Sequence, residues 1–373
     1  MGKKLIKIQL YKKDKTKQQI VSNKYGDYIL DDICTTCTVE EYLYDESGEQ
    51  ATDYLLDATF LVDNDGLYRC IEEEATLKVL LDYGEELFSI VSVRKTHTKV
   101  VVFARQITII ESINSWLDDV RPESKNGVEA LTHMQGYSLG LKNIEFESDI
   151  KTINTAYYQN QTLHNALFKS DNSFVNRWGG ETRRRGYKMI LNNRIGTEKN
   201  IQIRSGKNLI GFEAITDVEN VVTRIKPRAY WGRTIEGFVD SPLINNYKYI
   251  RTDVIEYSYI KLASDITDTS NLEPEDIVYD TLEEVRTKLI ELANLEYTQK
   301  YIDVLAVEYN INFVDLSQTE EYKDFIQMET VELGDVVSVY EEKHNVNIKV
   351  RAISRKYNVM SQKLIEMKLS NNN

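Results

Sequence analysis

The sequence predicts an α+β fold, mainly β, in which two small β-barrels carry α/β attachments. Three observations predict it. Short runs rich in Ile, Val, Thr and Tyr recur between turn signals, as in small barrels and sandwiches. Two of these runs echo one another: Gly84 introduces Leu87–Val93, a basic tip and Lys99–Arg105, and Gly334 introduces Val336–Tyr340, a charged tip and Asn347–Ser354. Helical spacing is confined to a few separate stretches.

Taken in order, Leu5, Ile6, Ile8 and Leu10 read as a first strand, and Leu55–Val62 as another, followed by the turn Asp63–Gly66. Ala75–Leu81 is the next strand, and Leu87–Val93 pairs with Val100–Phe103 across the tip Arg94–Lys99. Val128, Ala130, Leu131 and Met134 have helical spacing, as do Leu163, Ala166 and Leu167. Strands return at Tyr187–Leu191 and Ile201–Ile203. Thr281-Leu-Glu-Glu284 is a capping box, and Leu282, Val285, Leu289, Leu292 and Leu295 continue it on one helical face. Tyr301–Glu308, the hairpin Val336–Val339 with Asn347–Ile353, and Leu364–Leu369 complete the strands. The division expected is 1–106 as a first barrel and 107–215 as an α/β attachment, with 216–250 and 300–373 as a second barrel interrupted by a helical insertion at 251–299.

At 373 residues the chain exceeds one core, and 42% hydrophobic content with 28% charged residues is that of a folded protein. A net charge of −13 argues against general nucleic-acid affinity, which needs surplus Lys and Arg. Eight Lys fall in the first 24 residues, whereas 40–86 is acidic, a separation that suits docking in register. No apolar run reaches 18 residues, and MGKKLIKIQL has no signal-peptide core, so folding and assembly in a cytoplasm are expected without stable membrane association.

The motifs with chemical potential fail on context. Gly136-Tyr-Ser138-Leu-Gly140 spells G-x-S-x-G, but a nucleophile elbow needs a strand before the serine and a helix after it, and here a helix is expected before. Asp63-Asn-Asp-Gly66 as a calcium loop would place Leu61 at the first ligand position, so it reads as a hairpin turn. Cys34 and Cys37 sit among Asp31, Asp32 and Glu40, which oppose a thiolate; with Cys70 they read as small buried thiols. His97, His133, His164 and His344 are scattered in polar stretches that read as surface. Neither a cofactor nor a metal is called for. Arg183-Arg184-Arg185 lies in the densest basic stretch, which suits phosphate, an acidic protein surface or a solvated strand edge. Tyr230 and Trp231 read as core, subunit interface or receptor contact.

Phe174-Val-Asn-Arg-Trp178-Gly-Gly-Glu181, Ile203-Arg-Ser-Gly-Lys-Asn-Leu209, Asn220-Val-Val-Thr-Arg-Ile-Lys-Pro227 and Tyr230-Trp-Gly232 together resemble the phage minor structural protein, or prophage endopeptidase tail, family. Phe88–Lys95 with Val102–Arg105, and Leu333–Val337 with Val350-Arg-Ala-Ile353, agree with that family's two barrel hairpins. The resemblance implies a hub like those of contractile tails and type VI spikes: a homotrimer whose six barrels form a ring at the virion tail tip. It implies a distal tail protein as partner, with a tape-measure protein as a further one and DNA only as cargo in the channel. From their charge and aromatic character, Arg183, Arg184, Arg185, Tyr230 and Trp231 are candidate interface or channel residues. Family members with a peptidase or glycosidase carry it C-terminal to the hub. These residues close at Ser370–Asn373 after the last strand, so the expectation is a structural role, with tail-associated peptidoglycan cleavage as the alternative.

Overall fold

The computed structural model describes residues 5–13, 25–44, 53–204, 209–267, 272–273, 276–305, 307–313, 331–344 and 346–370. It is mainly β and divides into two compact units. Residues 1–213 and 309–369 form one, and 214–308 with 370–373 form the other. The chain leaves the first unit within strand Leu209–Thr216 and returns within strand Val307–Phe313.

In the first unit the alternation of buried and exposed residues along Tyr54–Leu61 and Lys99–Gln106 lays one face on a core. That core holds Ile8, Leu10, Val39, Tyr54, Leu56, Phe60, Leu77, Val79, Phe88 and Val102. The expected hairpin forms: Gly84–Lys95 pairs antiparallel with Lys99–Gln106, with a bulge between Ile90 and Ser92. Its counterpart forms too, Val336–Glu341 against Val346–Asn358.

The strands expected in separate barrels share one 13-stranded sheet. The reason is the length of Val346–Asn358. Its first half, Val346–Arg351, pairs with Val336–Glu341, and its second half, Ser354–Asn358, pairs with Thr38–Tyr42. Thirteen residues suffice for two successive partners, so the end of the chain is joined edge to edge with its beginning. Among the described residues no pairing closes this sheet into a ring.

Asp63–Gly66 turns the chain but does not make a hairpin. The strand before it pairs with Cys34–Tyr42 and Lys99–Gln106, and the strand after it with Ile8–Tyr11 and Gly84–Lys95. The Asp63 carboxylate instead accepts from Leu67 N–H at 3.0 Å and Tyr68 N–H at 2.9 Å, starting a short 3-10 turn.

Residues 107–195 pack a second core on small sheets. Helix Gly127–Tyr137 has Asn126 as cap, with Glu129 reciprocating, and buries Ala130, Leu131 and Met134. Helix Leu163–Phe168 buries Leu163, Ala166 and Leu167. Both lie at the sequence-expected positions and meet Met189 and Leu191 of the hairpin Glu181–Arg185 with Lys188–Asn192.

In the second unit, Arg224–Ala229 lies between Val239–Asp240 and Thr252–Tyr257. Helix Leu282–Thr298 begins at the expected capping box and lays Val285, Leu289, Ala293 and Tyr297 on Ile225, Val239 and Ile260. The strand expected at Tyr301–Glu308 starts only at Val307. Tyr301 has φ 52°, which breaks an extended run, and Asp303 is buried with the Ser241 hydroxyl donating to it.

Gly196 and Gly334 meet backbone to backbone in the first unit. A Cβ on Gly196 would lie 2.1 Å from the Gly334 carbonyl, and one on Gly334 would lie 2.7 Å from Ile195 O; both have positive φ. Gly196→Ala or Gly334→Ala is therefore expected to cost at least about 2 kcal/mol in chemical denaturation. Gly136, helical and facing open space, is the control: Gly136→Ala is expected to stabilise by roughly 0.5–1 kcal/mol.

Candidate assembly surface and buried charge seam

The stretch Trp178-Gly-Gly-Glu181 is a chain reversal that delivers a carboxylate. Trp178 is buried, stacks on Phe174 with ring centres 5.1 Å apart and donates Nε1–H to Lys125 O at 2.8 Å. Gly180, at φ 98°, has Ile150 and Asn192 where a Cβ would stand. Glu181 then enters the first unit's interior. There Arg351 forks onto it, Nη1 to Oε1 at 2.6 Å and Nη2 to Oε2 at 2.5 Å. Tyr44 Oη donates to Oε1 at 2.8 Å and Ile195 N–H to Oε2 at 2.8 Å. The remaining Arg351 donors go to Gly334 O, Ile195 O and, from Nη1 at 3.4 Å, Tyr44 Oη. Burial opposes charge on Glu181, but the Arg351 bonds outweigh it and hold the carboxyl below its ordinary value.

Arg183, Arg184 and Arg185 follow on the same strand, and within this chain they are not a solvated edge. Arg183 and Arg185 are half-buried on a carbonyl and carboxylates of this chain, and Arg184 between them is buried. Arg183 donates to Leu333 O at 2.9 Å. Arg185 reaches Glu41 at 3.2 Å and Glu332 at 3.0 Å, and its guanidinium lies 3.8 Å over the Tyr83 ring centre. Burial works against its charge; Glu41, Tyr83 and Glu332 more than restore it. Arg184 is fully enclosed, 5.4 Å from the Phe168 ring centre, and burial lowers it to about 10.

Beside them Glu86 is 0% exposed. Its Oε1 accepts from Gly186 N–H at 2.8 Å, Leu87 N–H at 3.0 Å and Gln106 Nε2 at 3.2 Å. Burial nonetheless pushes its carboxyl up to about 7. His164 is also buried rather than on the surface, with Nδ1 3.2 Å from Ser112 Oγ. Burial, with Arg184 adding, lowers its imidazole to about 3, so it is neutral.

Ser138 is the cap after helix Gly127–Tyr137, is buried, and donates Oγ–H back to Gln135 O at 2.8 Å. The chain there runs helix then extended residue, the reverse of a nucleophile elbow. Cys37 is fully buried, and burial followed by Asp31 pushes Cys34 up to about 12. Both are thiols at neutral pH.

Tyr230 and Trp231 belong to the second unit. Trp231 is 69% exposed and has φ 56°, ψ 23°, a conformation bulky residues avoid. Its turn is pinned by Arg233, which forks onto the buried Asp265 at 2.7 and 2.5 Å. Lys261 lies 4.8 Å over the Tyr230 ring centre. The turn thus holds a large aromatic at the surface of this chain in a strained backbone conformation.

The fold is that of phage-tail proteins. Three solved structures share it over 98% of this chain: a prophage tail protein from Listeria monocytogenes EGD-e (15% identity, 94% of that chain, TM-score 0.59), a tail protein from Neisseria meningitidis MC58 (9%, 96%, 0.58) and the prophage MuSo2 43 kDa tail protein from Shewanella oneidensis (9%, 96%, 0.62). Residues 197–373 match the family described as prophage endopeptidase tail, which bears out the resemblance carried by 203–232 and the second hairpin. No curated protein matches the sequence. Among the described residues no helix is long and apolar enough to cross a membrane.

Breaking the fork while leaving its partner buried is expected to be severe: Glu181→Gln should cost about 3–5 kcal/mol in denaturant unfolding. Glu86 gives the pH dependence. Its pKa is raised on folding, so its contribution is fully present below about 4.5 and is lost as pH rises through about 7. Glu181 and Glu332, both lowered, act oppositely, losing their contribution as pH falls through their folded values. The Glu86 contribution should therefore fall between about pH 4.5 and 7, and Glu86→Gln should flatten that slope and exceed wild type at pH 8 by roughly 1–3 kcal/mol.

Proposed function

We propose that this chain is a structural hub subunit of a phage or prophage tail tip. In that role three copies form a ring that joins the distal tail and gates the DNA channel. The observation that carries the reading is a fold held in common with tail proteins over 98% of this chain and at least 94% of each of theirs. Two antiparallel hairpins, Gly84–Gln106 and Val336–Asn358, each introduced by a glycine with positive φ, support a pair of similar β blocks per subunit. Three such subunits would supply six blocks, the symmetry a tail tube needs, with each pair closing into barrels as part of the same proposal. A distal tail protein is the neighbour this ring would seat against, with a tape-measure protein as a further partner and DNA passing as cargo. Placement on a virion tail assembled in a bacterial cytoplasm follows from the same reading.

Trp231, with Tyr230 beside it, is the proposed contact residue. Arg183, Arg184 and Arg185 act in this reading by stiffening the block from within. The family's description contains the word endopeptidase, and peptidoglycan cleavage is the second reading. Ser138, turned back onto its own helix, gives it no support.

Light scattering on the purified chain is expected to give three times the subunit mass. Trp231→Ala should leave the thermal midpoint within about 2 °C of wild type and weaken that assembly at least tenfold. A wild-type monomer at high concentration sinks the trimer, and an unchanged assembly in the variant removes Trp231 from the contact. Zymography on peptidoglycan is expected to show no clearing. Clearing that Ser138→Ala abolishes would instead establish the lytic reading.

A further inference from the structure

Arg355 and Glu41 are registered partners on the two strands that join the end of the chain to its beginning. Both are more than nine-tenths buried, at 3% and 4% exposure. Arg355 gives one Nη2–H to Asp82 at 2.6 Å, while its Nε and Nη1 are buried with no protein acceptor. Glu41 accepts from Arg185 through Oε1 at 3.2 Å, while its Oε2 is buried with no protein donor. A buried charged donor and a buried charged acceptor left unsatisfied are among the costliest features a fold can hold.

Both side chains line the same small cavity, of about 10 Å³. Val39, Tyr54, Leu81, Asp82, Tyr83 and Tyr357 complete its wall, and the hydroxyls of Tyr54 and Tyr83 meet there. That volume is about what the centre of one water requires, and an enclosed water needs two to four polar partners. The wall also discriminates by charge. An anion would face Glu41 and Asp82, and a cation would face Arg355, with Arg185 behind Glu41. Anything with more than one heavy atom is too large.

We propose that this cavity is a structural water site. One water accepts from an Arg355 N–H, donates to Glu41 Oε2 and uses its remaining capacity on the hydroxyl of Tyr54 or Tyr83. It completes the Arg355–Glu41 pair, so the junction of the N-terminal and C-terminal strands is cemented through a solvent molecule as well as through the backbone ladder.

Two measurements test this. A crystal structure of the full chain at a resolution that places waters is expected to show one peak within about 3.2 Å of Glu41 Oε2, an Arg355 nitrogen and a tyrosine hydroxyl. Arg355 bonded directly to Oε2, with no density between, overturns the site. Val39→Ile adds a methylene at the cavity wall. Oxygen-17 relaxation dispersion on wild type and variant counts long-lived internal waters, and the count is expected to fall by one. An unchanged count in a folded variant overturns the assignment.

Discussion

A guanidinium and a carboxylate taken out of water recover their desolvation cost only when their remaining donors and acceptors are also used. Arg351 and Glu181 come close to that condition. Beyond their two mutual bonds, Tyr44, the Ile195 amide, the Ile195 carbonyl and the Gly334 carbonyl complete the set. Five separate stretches of chain, at residues 44, 181, 195, 334 and 351, meet at that one ion pair. Gly196 and Gly334 lie against one another beside it, and Asp335 accepts from the Thr197 amide at 2.8 Å and the Glu332 amide at 2.9 Å. The strand Val346–Asn358 can then run on to pair with Thr38–Tyr42, with Arg355 and Glu41 in register behind it.

Much of this was legible in the sequence, unevenly. Local signals located the helices at 127–137, 163–168 and 282–298, because caps and apolar spacing act over a few residues. Both long hairpins were legible for the same reason. The pairing of residues 354–358 with 38–42 was not, since nothing in a strand's own alternation names its partner across three hundred residues. The site shows the same division. Glu181 and Arg351 both lie inside motifs that the sequence singles out, Trp178-Gly-Gly-Glu181 and Val350-Arg-Ala-Ile353, yet their contact emerges only in three dimensions. Arg183–Arg185 look like a surface patch because composition counts charges and not the carboxylates facing them. Tyr301, with positive φ, departs from the extended run that its neighbours' composition suggests.

The buried charges and the exposed aromatic have different physical uses. An ion-pair network inside a β block contributes little net stability compared with apolar packing, yet removing one partner leaves the other charge buried and unpaired. Trp231 sits in the other compact unit, held in a strained turn by the Arg233–Asp265 fork. Strain of that kind persists only where the surrounding structure holds it in place.

The central claim is that the chain is a ring-forming structural subunit, and electron-microscopic class averages of the purified full-length protein test it most directly. The account predicts closed rings of three subunits that show six similar β blocks around a central channel. Compact single particles with no ring, at concentrations where the protein is fully folded, would contradict it.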